Sequence, residues 1–336
     1  MRRHGIATLV ACLAVTVAAC APARADTPAP LGVASIATLT DRTITGYDRE
    51  AAAIVSVGAS WIRIVVNWNE IETAPGVFDW GRIDGAVTSA RAHGLHVLAL
   101  LTGPAPGWEH PFVEARSATP AEPADFGTFA GQAARRFATS VSHWEIWNEP
   151  NLPEFWARPD PAGYVATLRA AHRAITAVQR DATVVLGGLS TGPSGFSATD
   201  FLEGVYRAGG RGFFDAIGLH PYSYPYPLTA DPLDRVASIA ALRSTAQRHR
   251  QGAMRIWVTE WGQSTGTGPT SVTPAKQAEI LVDGLRYLRA QVGMGPVFLF
   301  TSKDWSPDSR DAERNFGLFD HDWTPKPVVA RLRSGS

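Results

Sequence analysis

Past its amino-terminal stretch, this chain alternates short, nearly continuous apolar runs with longer amphipathic segments, and that rhythm admits very few architectures. The runs are Leu31 to Ile36, Trp61 to Val66, His96 to Leu101, Val141 to Trp147, Thr183 to Gly187, Phe214 to Leu219, Arg255 to Thr259 and Pro296 to Thr301. Each is bounded by Gly, Pro or Asn and lacks polar alternation, as expected of parallel strands buried on both faces. The clearest helix between them starts at Asp160, an N-cap followed by Pro161. It carries Tyr164, Leu168, Ala171, Ile175 and Val178 on one face at three- and four-residue steps. Thr273-Pro274 opens a second such helix with Leu281, Leu285, Leu288 and Val292 in line, and Thr324-Pro325 predicts a last short one. Weaker periodicity covers Tyr47 to Val57, Trp80 to His93, Asp125 to Ala138, Asp200 to Ala208 and Pro232 to His249. Strand and helix in strict alternation predict an α/β chain folded as a single-domain (β/α)8 TIM barrel over residues 26–336. An open doubly wound sheet alternates too, but it needs a glycine-rich phosphate turn after an early strand, and none follows Gly32-Val33-Ala34. The longest irregular segments, Thr102 to Pro123, Ser190 to Ala198, Tyr222 to Ala230 and Gly262 to Thr273, all follow strands. A barrel gathers such segments at one rim, the face that carries catalysis.

The first 25 residues read as an export signal: Arg2 and Arg3, an apolar stretch from Ile6 to Ala19, then Ala23-Arg24-Ala25 as a cleavage site. That stretch is shorter than the roughly 20 residues that cross a bilayer. Val17-Ala18-Ala19-Cys20 also resembles a lipoprotein box, so cleavage before Cys20 would leave a lipid anchor on that thiol, and secreted and lipid-anchored forms both stay open. Cys12 and Cys20 are the only cysteines, so a chain starting at Asp26 has no disulfide and depends on its core. Lys plus Arg and Asp plus Glu stand at 31 each, which leaves no basic field for nucleic acid and suits a neutral substrate. His93 and His96 have no third ligand at suitable spacing, so neither a metal nor a cofactor is expected.

Two glutamates end apolar runs beside tryptophan: Glu149 in Trp144-Glu145-Ile146-Trp147-Asn148-Glu149-Pro150-Asn151, and Glu260 in Ile256-Trp257-Val258-Thr259-Glu260-Trp261-Gly262. A carboxylate that closes a strand before Pro or Gly lies at the barrel rim, and indoles that exclude water favour its protonated form, as a general acid needs. A pair of such carboxylates across a scissile bond is the machinery of glycoside hydrolysis. Groups about 5 to 5.5 Å apart let one attack the sugar with retention, while about 6.5 to 9.5 Å admits a water and inverts it.

These segments, together with Trp61-Ile62-Arg63-Ile64-Val65-Val66-Asn67-Trp68, Pro75-Gly76-Val77-Phe78-Asp79-Trp80, Gly94-Leu95-His96-Val97-Leu98 and His220-Pro221-Tyr222, resemble the clan A glycoside hydrolases, nearest to families 39 and 5. The resemblance implies a retaining glycosidase acting on a carbohydrate, with Glu149 as acid/base and Glu260 as nucleophile. It implies that Arg63 holds Glu260 ionised, although pairing with Glu145 is the plainer role for a buried arginine. Asn148 would then donate to the sugar 2-hydroxyl, His220 and Tyr222 would orient the carboxylates, and Trp305 would be the floor on which the sugar stacks. Trp68 and Trp261 are weaker candidates, fitting rim packing, and Trp147 fits the core. Two other readings remain. One is a carbohydrate-binding barrel without turnover, which intact carboxylates oppose. The other is a serine hydrolase using Ser190 of Gly188-Leu189-Ser190-Thr191-Gly192, opposed by Pro193, Ser194 and Gly195 where a nucleophile elbow needs a helix.

Overall fold

The computed structural model describes residues 28–109 and 117–335, so the expected signal segment and its Cys20 lie outside the described residues. Eight parallel strands close into a barrel: β1 (Leu31–Ala34), β2 (Trp61–Asn67), β3 (His96–Thr102), β4 (His143–Ile146), β5 (Thr183–Ser190), β6 (Ala216–His220), β7 (Arg255–Trp261) and β8 (Met294–Leu299). Each pairs with its neighbours in sequence, and β1 closes on β8 through Leu31↔Val297 and Gly32↔Phe298. Helices follow the strands in turn: α1 (Ile44–Ser56), α2 (Gly81–Ala92), α3 (Pro123–Arg136), α4 (Pro161–Val178), α5 (Ala198–Arg207), α6 (Ala237–Arg248), α7 (Pro274–Arg289) and α8 (Pro327–Arg333). The expected single barrel is the observed one.

Local chemistry sets the helix starts. Asp160 accepts from the N–H groups of Ala162 and Gly163 ahead of Pro161, and Thr273 accepts from Lys276 ahead of Pro274, each satisfying donors that the first turn leaves orphaned. The last helix begins later than the sequence predicts, at Pro327 rather than Pro325. Residues before it are held by Asp320, which accepts from Trp323 and donates to Thr324.

Alternation along each strand then sorts side chains between two cores. In β2, Ile62, Ile64 and Val66 face the helices and join the outer core, while Trp61, Arg63, Val65 and Asn67 face the barrel axis. Trp61, Leu98, Val185, Ala216, Trp257 and Phe298 fill the amino-terminal end of the barrel. Gly295 makes room for this plug, since a Cβ there would stand 2.2 Å from the Trp257 ring. Above the plug, strand interiors turn polar, and that change of chemistry creates the site.

Candidate active site

The carboxyl ends of the strands open into a cleft of ≈ 730 Å3. Arg63 is the keystone of its floor and is almost wholly buried. Its Nε donates to Glu145 Oε2 at 2.6 Å, Nη1 to Glu260 Oε1 at 2.5 Å and Nη2 to Asn148 Oδ1 at 3.0 Å. The guanidinium therefore touches both of the carboxylates expected as its partners. Glu145 fixes the guanidinium, accepting also from the Gly188 N–H at 2.9 Å, and the fixed fork presents its outer edge to Glu260.

His220, at the end of β6, joins the two glutamates. Its Nδ1 lies 2.9 Å from Glu149 Oε1 and 3.9 Å from Glu260 Oε2, and its Nε2 lies 3.0 Å from Thr259 Oγ1. Those two Nδ1 legs bring the carboxylates together: the oxygens they reach cannot stand more than about 7 Å apart, close enough to meet across one sugar ring. The Tyr222 hydroxyl donates to Glu260 Oε2 at 2.9 Å. Gly188 gives the imidazole its space, because a Cβ at that position would fall 2.0 Å from Nε2.

Charge distinguishes these groups. Burial pushes the Glu260 carboxyl up, but the His220 and Arg63 cations, with hydrogen bonds from Tyr222 and Arg63, leave it below the usual carboxylate range. For His220 burial disfavours the cation, yet Glu260 and the hydrogen-bonded Glu149 carry its pKa above the ordinary value despite the opposing Arg63. Burial, then the Glu260 and Glu149 charges, push the Tyr222 phenol well above its usual range, so it stays a donor. One anion is thus held by two donors and flanked by two cationic groups.

Glu149 itself sits on a strained turn. Trp147 has φ 67° and Glu149 φ 40°, left-handed values that side chains other than glycine adopt at a cost of about 1–3 kcal/mol. This turn also ends β4 early, at Ile146, where the sequence predicts strand through Trp147. It is restrained from its own loop and from β5: Trp147 Nε1 donates to Phe155 O at 2.9 Å, and Glu149 N donates to Gly188 O at 3.1 Å. Asn151 ties the turn to the next loop, accepting from Ser190 N at 3.0 Å and donating to Ser190 O and Phe196 O at 2.9 Å.

Each expected site residue reaches this region. Glu149, Glu260, Arg63, Asn148 and Tyr222 line the cleft, and His220 lies directly beneath it. Trp305 lines it too, 38% exposed, but Phe300 stands deeper at the end of β8, with its ring 6.3 Å from Trp305 and 6.2 Å from Tyr222. Trp68, Trp147 and Trp261 are buried in the outer core. Thr259, Gly188, Phe300, Phe316 and Tyr224 escaped the sequence reading. Thr259 alone left a signal there, as the polar residue before Glu260 in an apolar run. Among the described residues no base is bonded to Ser190: its Oγ accepts from Gly192 N, and both ring nitrogens of His220 are engaged elsewhere. Among the described residues no three His, Cys, Asp or Glu side chains are grouped to hold a metal ion.

Solved structures share this architecture. A family 39 glycoside hydrolase from Bacteroides cellulosilyticus superposes with a TM-score of 0.74 at 22% identity, covering 91% of this chain and 63% of that one. The barrel is one that glycoside hydrolases use. An exo-β-1,4-mannosidase from an Opitutaceae bacterium matches with a TM-score of 0.64 at 18% identity over 91% of this chain and 58% of that one. A GH5_18 protein from Streptomyces cattleya, in complex with GlcNAc, gives 0.72 at 13% identity over 92% and 80%. The chain therefore spans about three fifths of the length of the first two relatives. No protein-family model and no curated protein matches the sequence.

Proposed function

We propose that this chain is a retaining glycoside hydrolase that cleaves β-O-glycosidic bonds in an extracellular or cell-envelope saccharide. The observation that carries the reading is the pair Glu149 and Glu260, bridged by His220, with Glu260 alone bonded to Arg63 and Tyr222. In the first step a Glu260 oxygen attacks the anomeric carbon as Glu149 transfers its proton to the glycosidic oxygen; the C–O bond breaks and the alcohol leaves. In the second, Glu149 takes a proton from water, the water oxygen bonds to the same carbon, and Glu260 departs as a carboxylate. Arg63 and Tyr222 stabilise that carboxylate both as resting nucleophile and as leaving group. Asn148, oriented by Arg63 Nη2, keeps its amide nitrogen free to donate to a sugar hydroxyl.

The structural relatives, one of them a β-1,4-mannosidase by name, support a β-linked substrate. Export rests on the Arg2-Arg3, Ile6 to Ala19 and Ala23-Arg24-Ala25 pattern, with release or anchoring through Cys20 as its two forms. Mass spectrometry of the mature amino terminus should find Asp26, or lipidated Cys20; an intact leader would overturn export.

Azide assigns the two carboxylates. Glu260→Ala should lose activity on a β-aryl glycoside by on the order of 10^4-fold or more and regain part of it with azide as the α-glycosyl azide. Glu149→Ala should instead yield the β-glycosyl azide, since its nucleophile survives. The reading fails if the products are reversed, or if parent enzyme releases the inverted anomer. Saccharide binding with no hydrolysis across a broad panel would identify a binding protein.

A further inference from the structure

Large apolar side chains exposed among the described residues fall at scattered places, but only Phe155 and Trp305 line the cleft, 37% and 38% exposed. An open ring in water costs free energy in proportion to its area, and binding sites place such rings against the apolar face of a ligand. The two lie on different walls. Trp305 follows β8, the neighbour of the strand that carries Glu260, and packs on Phe300. Phe155 belongs to the loop of Glu149 itself.

That loop is one rigid piece. Leu152 N donates to Glu149 O at 2.9 Å, Phe155 N donates to Leu152 O at 3.2 Å, and the buried Trp147 indole donates to Phe155 O at 2.9 Å. Trp156 locks the far side, its ring 5.4 Å from Trp147 and 5.8 Å from Tyr164. Phe155 therefore keeps its place relative to the acid without depending on a substrate to order it. Beside it, Glu154 and Ser194 also line the cleft, joined only by long contacts of 3.4 and 3.5 Å that leave capacity to bind hydroxyls.

An acid must lie within about 2.6–3.2 Å of the oxygen it protonates, so whatever lies beyond that oxygen is on the acid's side of the cleft. We propose that Phe155 is the platform for the sugar on the leaving-group side, so that the preferred substrate is a saccharide with at least one ring beyond the scissile bond. Phe155 is then a specificity-determining residue, and the site accepts a chain crossing it from Trp305 to Phe155. This inference rests on the glycosidase reading above.

The test compares leaving groups with and without a ring. Parent, Phe155→Ala and Phe155→Trp are assayed on β-glycosyl fluorides and on the matched β-1,4-linked trisaccharides of xylose, glucose and mannose. For whichever sugar is accepted, Phe155→Ala should lower kcat/KM on the trisaccharide about tenfold more than on the fluoride, and Phe155→Trp should recover most of the difference. Equal losses on both substrates, or no recovery by Trp, would overturn the platform while leaving the glycosidase reading intact. Hydrolysis of neither series by the parent would overturn that reading and the platform with it.

Discussion

The two ends of this barrel are built from the same residue types and do opposite things with them. At the amino-terminal end, Trp61 packs against His96 at 5.0 Å, His143 at 4.7 Å and Trp257 at 5.4 Å, a stack of rings in which His143 has Ser142 Oγ as its hydrogen-bond partner. At the carboxyl end, His220 lies between two carboxylates. His220 is fully buried and His143 half-buried. Without a nearby anion, burial and the neighbouring His96 lower His143 to about 4; with Glu260 and Glu149 beside it, His220 goes up. A buried ring is packing material or a charged part of a site according to which charges face it.

Breaking the plug should reveal its role most plainly. Trp61→Ala removes the ring at its centre, and burial of this degree predicts a loss of about 3–5 kcal/mol in stability, read from urea unfolding. The folded fraction should keep kcat close to the parent value, because the polar layer begins above Trp61. A large fall in kcat with stability unchanged would contradict that division.

Gly188→Ala attacks the other end. The added Cβ cannot coexist with His220 Nε2 in its present place, so the imidazole must shift and carry Glu149 and Glu260 with it. Displacement of that kind is expected to cost on the order of 100-fold in kcat. Calorimetry should show a far smaller loss of stability than for Trp61→Ala. A nearly unimpaired Gly188→Ala would mean that His220 does not position the glutamates.

His220→Gln sharpens the electrostatic claim. The His220 cation is the strongest influence lowering Glu260, so its removal must raise the pKa at which the nucleophile becomes protonated. The acidic limb of kcat/KM should move to higher pH, with activity lost sooner as the solution is acidified. An acidic limb that stays in place would assign the ionisation of Glu260 to Arg63 and Tyr222 alone.

How much of this was legible in the sequence follows from what each feature depends on. Strand cores were readable because their apolar runs are local; Glu149, Glu260, His220 and Tyr222 were readable because each sits beside a strand end or a turn-forming Pro or Gly, and Arg63, inside its strand, only through the resemblance of the segment around it. The end of β4 was misread because Trp147 and Glu149 adopt left-handed backbone, which no side-chain pattern there announces. Gly188 was missed for another reason: its role exists only across strands that the closed register brings together. The Gly188 N–H meets Glu145, and its missing side chain admits His220. Neither partner is near it in the chain.

The smallest effect concerns stability against pH, where the two histidines should pull in opposite directions. His143 has a folded pKa of about 4, below its unfolded value of about 6.5, so between those limits the unfolded chain binds more protons and stability falls as pH drops from about 6.5 to 4. His220 has a folded pKa above its unfolded value, so its contribution is present below about 6.5 and disappears as pH rises through the folded value. His143→Phe keeps an aromatic ring against Trp61 and Trp257 while removing the first dependence. Urea midpoints measured from pH 4 to pH 6.5 should therefore fall less steeply on acidification in His143→Phe than in the parent. An unchanged slope would show that His143 takes up its proton in the folded barrel as readily as in the unfolded chain, and that the aromatic end tolerates charge after all.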